Sequence, residues 1–219
     1  MPDITQQLYL WIQQIQASAQ TGLAFNPNAY DRERYEEFLK LAARMAATVN
    51  GNATLDAQLA DALAQKWRAE VGEGIPGYVT PKVGVGAVVF NERDQVLLIK
   101  RVEGMWAMPT GWAEVGLSPA EVAAKEVREE TGMLVTPLRV IGIYDVAKVR
   151  GDFNPHFYSI LFYCRLDGGE LRPHPVETQG AGFFSRDQLP APMSPHILAR
   201  LELAWKIHRG EASPVWFDQ

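Results

Sequence analysis

The chain has 219 residues, 47% of them hydrophobic, and a formal net charge of −5. That suffices for one enzyme domain of ordinary size plus a small second one, and argues against a scaffold that grips nucleic acid through a basic surface. No apolar run is long enough to span a bilayer, and the start, MPDITQQLYLWIQQ, lacks the basic region and cleavage site of a signal peptide. The one cysteine, Cys164 in SILFYC, reads as a small buried hydrophobe and has no disulfide partner, so a reducing cytoplasm is the expected setting.

Residues 1–71 read as helices. Ile4, Leu8, Trp11, Ile12, Ile15 and Ala19 recur at helical spacing, as do Phe38, Leu41, Ala42, Met45 and Val49. Asn28 or Asp31 is placed to cap the second helix and Asn50-Gly51 to stop it; Thr54 is placed to open a third, from Leu55 to about Val71. Helices this short present more apolar face than they bury among themselves, so a homodimer is expected. A DNA-reading module wants a basic recognition helix. Through Glu70, however, eight acidic residues (Asp3, Asp31, Glu33, Glu36, Glu37, Asp56, Asp61, Glu70) outnumber six basic ones (Arg32, Arg34, Lys40, Arg44, Lys66, Arg68), so nucleic acid is not an expected partner.

The Gly- and Pro-rich GEGIPGYVTP, residues 72–81, reads as a linker to a second domain, 82–219. KVGVGAVVFN and QVLLIKR flank a polar turn at Glu92–Asp94 and read as a hairpin whose near-continuous apolar character predicts burial on both faces. LVTPLRVIGIYDVA, HFYSILFYCRL and the short GAGFF are further strands, and PHILARLELAWKIHRG is a closing amphipathic helix. With a helix between strands and another at the end, the pattern predicts a three-layer α/β/α arrangement. The four histidines, His156, His174, His196 and His208, have no partners at zinc spacing, and no zinc site is expected.

The intervening helix carries the chemistry. Ser118 is placed as N-cap, Pro119 as first helical residue and Gly132 as the left-handed residue past the end. At roughly 100° per residue, Glu126, Glu129 and Glu130 crowd one arc. Ala120, Ala123, Ala124, Val127 and Thr131 form a neighbouring small-residue arc suited to lie on a sheet, while Glu121, Lys125 and Arg128 face outward, with Glu121 and Lys125 spaced to pair. Carboxylates beside a sheet-packing arc, after the glycine-containing loop MWAMPTGWAEVG, suit a cleft edge and a hard cation such as Mg²⁺.

The stretch 111–133, GWAEVGLSPAEVAAKEVREETGM, resembles the Nudix box: Gly111, Glu126, Val127, Glu129, Glu130, Gly132 and Met133 match it, while Leu117 stands for the first glutamate and Lys125 for the arginine. QTGLAFNPNAYDRERYEEF and ETQGAGFFSRDQLP extend the likeness to a bacterial Nudix subgroup with a helical N-terminal domain, whose members are known as CDP-choline or ADP-ribose pyrophosphatases. The resemblance implies a Nudix-type α/β/α sandwich with a mixed sheet. It also implies Mg²⁺-dependent hydrolysis, with Mn²⁺ as an alternative ion, of the diphosphate in a nucleoside diphosphate linked to X. A nucleotide-sensing regulator on the same fold and an RNA-end hydrolase are the rival readings.

By the same resemblance Glu126 and Glu130 are the principal metal ligands, Glu129 a further ligand or orienting group, and the Thr110 carbonyl an additional ligand. Lys125 would pair with Glu129. Leu117 removes one family ligand, for which Glu114 is a better substitute than the outward Glu121. Glu177, in HPVETQGAGFF, sits where several Nudix enzymes place a catalytic glutamate; general base and solvated loop acid are both open. Arg101 reads as a phosphate ligand or an exposed strand-end cation. Trp106, Trp112, Tyr144 and Phe157 read as a base-stacking surface or as core.

Overall fold

The structure, a computed structural model, describes residues 4–25, 27–50, 55–72, 80–114, 116–150, 156–211 and 214–218, with the side chains of 149 and 150 left aside. The chain forms two compact units, Met1–Pro81 with Ala147–His156, and Lys82–Val146 with Phe157–Gln219. The first unit therefore takes in a segment from within the second, beyond the expected boundary in the linker.

In the first unit, α1 (Ile4–Ala24), α2 (Ala29–Asn50) and α3 (Ala57–Ala69) enclose Ile12, Ala19, Leu23, Leu39, Ala42, Ala43, Ala46 and Trp67. α1 and α2 approach closely at Gly22, where a side-chain carbon would fall 2.5 Å from the Tyr35 ring. Buried Gln20 donates to the Trp67 carbonyl at 2.7 Å and ties α1 to α3. Asn28 caps α2, its Oδ1 accepting the Asp31 N–H at 3.0 Å. The third helix departs from expectation: Thr54 lies outside the described residues, and Asp56 is the cap, accepting the Leu59 N–H at 2.9 Å. The expected stripes are only partly covered. Trp11, Phe38 and Leu41 stay 46%, 44% and 41% exposed, because the small residues Ala42, Ala43, Ala46 and Ala47 take the closest helix contacts instead.

The second unit is one eight-stranded mixed sheet. β1 (Lys82–Phe90) and β2 (Val96–Arg101) form the expected hairpin, with Asp94 at φ 57 and Asn91 Oδ1 accepting turn N–H groups at 3.0 Å. The two strands then part. β3 (Trp106–Ala107) pairs with β2 and β4 (Thr110–Trp112) with β1, so what reads in sequence as a plain loop is built into the sheet. β6 (Phe157–Gly169) runs parallel to β1; β5 (Met133–Asp145) lies antiparallel beside β6, and β7 (Thr178–Phe184) beside β2. A short β8 (Trp216–Phe217), with no clear strand signal in sequence, runs parallel to β5. The five-residue α5 (Val146–Arg150), also unforeseen, follows β5.

Two helices complete the layers. Val85, Ala87, Val89 and Leu97 face α4 (Pro119–Thr131), while Val88, Phe90, Val96 and Leu98 face α6 (Pro195–His208). Strand alternation with apolar residues on both faces is what the burial of β1 and β2 requires. Cys164 is buried on the α4 side, and that burial pushes its thiol up to about 12, the behaviour of an inert core residue.

Candidate active site

α4 is fixed at both ends by local chemistry. Ser118 and Glu121 form a reciprocal capping box, Pro119 opens the helix, and Gly132 closes it in the left-handed region at φ 75. The box corrects one expectation. Glu121 accepts from the Ser118 N–H and hydroxyl, both at 2.7 Å, and does not pair with Lys125. Lys125 instead bridges Glu114 at 2.8 Å and Glu129 at 2.6 Å, and those two partners raise its pKa. Val122 joins the core in place of the half-exposed Ala124.

β4 meets α4 at Gly111. A side-chain carbon there would stand 2.0 Å from Glu126 Oε1 and 2.1 Å from its Cδ, so the carboxylate lies against bare backbone and only glycine leaves it room. One turn on, Glu130 is 3% exposed and accepts the Thr110 N–H at 2.9 Å. Burial, above all, pushes its pKa up to about 7; Arg101 and the Thr110 N–H oppose this, and Glu126 and Glu177 reinforce it. Glu126 is raised by burial first and by the charges of Glu129, Glu177 and Glu114, against Lys125. Negative charge thus converges on one spot beyond what nearby cations neutralise.

Of the residues singled out in sequence, Glu126, Glu130 and Glu177 share this field, with Glu177 at the foot of β7. Three others are engaged with neighbouring groups. Glu129 pairs with Lys125, as the resemblance implies, because an exposed carboxylate four residues from an ammonium pairs locally. The Thr110 carbonyl accepts from Arg101 Nη2 at 3.1 Å, and the same guanidinium donates to Thr110 Oγ1 and stands 3.8 Å from Glu130. Arg101 is therefore neither a free strand-end cation nor splayed outward; it braces β4 beside the carboxylates.

The aromatics divide. Tyr144 is not in the stacking group: it lies buried in the core cluster under α6, stacked on Trp216 at 4.5 Å with the Arg200 guanidinium 4.0 Å from its ring. Trp106 packs against that cluster, edge-on to Phe184. Trp112 and Phe157 do meet, at 5.0 Å and 73°, with Trp112 half exposed and Lys82 Nζ 6.0 Å from its ring. Two neighbours of these groups stand out only in the structure. Lys82 carries no sequence signal beyond its charge. His174 has no metal partners at zinc spacing, and its imidazole instead caps its own loop, accepting the Glu177 N–H at 3.1 Å.

The donor set fits a hard divalent cation. Two carboxylates whose pKa values are raised by burial and by neighbouring carboxylates are relieved by a bound positive charge. Among the described residues no three His, Cys, Asp or Glu side chains lie together as a ready-made metal site. Mg²⁺ keeps several waters and takes substrate oxygens, so two protein carboxylates suffice to hold it.

A mixed sheet between two helices carries clustered carboxylates on the helix that follows a glycine-bearing strand, and comparison with known proteins places this arrangement among the phosphoric anhydride hydrolases. The chain belongs to the Nudix hydrolase family: the profile described as "NUDIX domain" matches residues 80–202, and "UDP-X-like, N-terminal oligomerisation domain" matches residues 6–58. "Putative ADP-ribose pyrophosphatase YjhB" of Bacillus subtilis is 38% identical over 184 residues, covering 84% of this chain and 82% of that one. A crystal structure of an ADP-ribose pyrophosphatase from Streptococcus suis superposes with a TM-score of 0.54 at 38% identity, over 64% of this chain and 100% of the other. A UDP-X diphosphatase structure matches 98% of this chain and 99% of its own, with a TM-score of 0.57 and 27% identity. No helix among the described residues is long and apolar enough to cross a membrane.

Proposed function

We propose that the protein hydrolyses the diphosphate of a nucleoside diphosphate linked to X, with ADP-ribose, a UDP-linked compound and CDP-choline as the substrates to test in that order. The names of the similar proteins support the first two, and the sequence likeness to the CDP-choline subgroup supports the third. The observation that carries the reading is the placing of Glu126 against the bare backbone of Gly111 and of Glu130 on the adjacent Thr110 N–H, with the charge of Glu177 acting on both.

Glu126 and Glu130 would hold the divalent cation, Mg²⁺ or Mn²⁺, which when bound neutralises diphosphate oxygens and lowers the pKa of a water. Glu177 accepts the proton of the attacking water as its oxygen bonds to phosphorus, and the bridging P–O bond breaks to leave a nucleoside monophosphate and phosphorylated X. Arg101 braces β4 and lies beside the position the phosphates take. The half-exposed Trp112, supported by Phe157 and flanked by Lys82, offers a face for the base. The helical unit holds a homodimer through Trp11, Phe38 and Leu41; the description of its matching profile supports this. A reducing cytoplasm suits the single buried thiol.

The test incubates pure protein with Mg²⁺ and each conjugate and reads products by chromatography, with Glu126→Gln in parallel. Cleavage to the two monophosphates, lost by about 10²-fold or more in the variant, is expected. Inert conjugates, or a variant as fast as wild type, would overturn the reading.

A further inference from the structure

We propose that His174 is the positioning residue for Glu177, pinning the loop that carries this carboxylate to the last turn of the metal-holding helix. The inference rests on the reading of Glu177 as the general base. Three separate groups of His174 make hydrogen bonds: its N–H, its carbonyl and its imidazole. Its backbone N–H donates to the Glu130 carbonyl at 3.3 Å, next to the Arg172 N–H donating to the Thr131 carbonyl at 2.7 Å, so the loop is attached where α4 ends. Its carbonyl accepts the Thr178 N–H at 3.2 Å and the Thr178 hydroxyl at 3.1 Å, which starts β7. Its imidazole Nδ1 accepts the Glu177 N–H at 3.1 Å and, more weakly, the Val176 N–H at 3.4 Å.

The geometry also assigns the tautomer. Two N–H groups aimed at Nδ1 require a lone pair there, which places the ring proton on Nε2. The Glu177 Oε2, 3.8 Å from the same nitrogen, is then facing an acceptor and makes no hydrogen bond with it. His174 holds the backbone of Glu177 and leaves its carboxylate untied, the arrangement a proton acceptor needs. The same task is performed elsewhere in this chain by asparagine: Asn91 Oδ1 accepts the N–H two residues on, and Asn28 Oδ1 the N–H three residues on. Asparagine at 174 is therefore an isofunctional replacement, and alanine is not.

The experiment compares His174→Ala, His174→Asn, Glu177→Gln and the His174→Ala/Glu177→Gln double variant in the full chain. It uses Mg²⁺ and ADP-ribose, or whichever conjugate the wild type cleaves fastest, and adds hydrogen–deuterium exchange of the metal-free protein. His174→Ala is expected to lower kcat by about tenfold or more with KM changed less than about twofold, and to unprotect the Val176 and Glu177 amides. His174→Asn is expected to restore both, and His174→Ala is expected to cost nothing further in the Glu177→Gln background, since the two act as a unit. A wild-type kcat in His174→Ala, no rescue by asparagine, or additive losses in the double variant would overturn the His174 assignment alone. A wild-type kcat in Glu177→Gln would remove the base itself, and the His174 assignment with it.

Discussion

Gly111→Ala isolates the contact on which the site turns. The added methyl would sit 2.0 Å from Glu126 Oε1, and an ordinary contact begins near 3.4 Å, so the carboxylate has to withdraw by about 1.4 Å. Gly111 does not occupy the left-handed region, so alanine suits its backbone, and loss of chain freedom in the unfolded state favours the variant by up to about 1 kcal/mol. The group displaced is the far end of a flexible side chain, not core. The fold is therefore expected to survive with Tm within a few degrees of wild type. A misplacement of this size at a reacting centre costs on the order of 10²-fold in kcat/KM, or about 2.7 kcal/mol of transition-state stabilisation. Steady-state cleavage of ADP-ribose with Mg²⁺, alongside thermal melting, measures both. Wild-type kcat/KM in a folded Gly111→Ala would show that Glu126 is not needed where β4 holds it, and the site would have to be redrawn.

Other outcomes follow from the same geometry. Because burial raises the Glu130 pKa to about 7 from 4.5, the native state binds more protons than the unfolded chain between those values. Metal-free stability thus falls as pH rises from about 4.5 to about 7, and Glu130→Gln should be more stable than wild type at pH 8 by on the order of 2 kcal/mol, with the difference gone below about pH 4.5; denaturant melts at the two pH values decide it. By the same linkage, Mn²⁺ affinity measured by calorimetry should fall as pH drops below about 7, since the ion competes with the Glu130 proton, and a flat profile between pH 8 and 6 would contradict this. Leu117→Glu should tighten free Mn²⁺ without raising turnover, because Glu114 is engaged by Lys125 and leaves the family's first ligand position unfilled; equal affinities would refute it. Replacing Phe38 and Leu41 together by glutamate should give a monomer by light scattering, and a variant that stays dimeric would place the interface elsewhere.

The sequence by itself determined what depends on near neighbours. The capped ends of α4 were legible in Ser118, Pro119 and Gly132, because caps are made within four residues of the helix end. The two-sided burial of β1 and β2 was legible in their unbroken apolar runs, and the family in the spacing of Gly111, Glu126, Glu129 and Glu130. Helical spacing could place three carboxylates on one arc, but it could not say which of them the sheet would cover. That depended on β4, a three-residue strand whose register with β1 is a long-range pairing. Its close approach buries Glu130, lays Glu126 on Gly111 and leaves Glu129 in solvent for Lys125. Charges likewise chose partners across the fold: Lys125 found Glu114, Glu121 turned back to Ser118, and Arg101 reached Thr110. Tyr144 went to the α6 face because a strand's side chains alternate between faces, and only the packed sheet decides which helix each face meets. Local periodicity fixes the direction a side chain takes from its own element; what stands in that direction is decided by tertiary contacts.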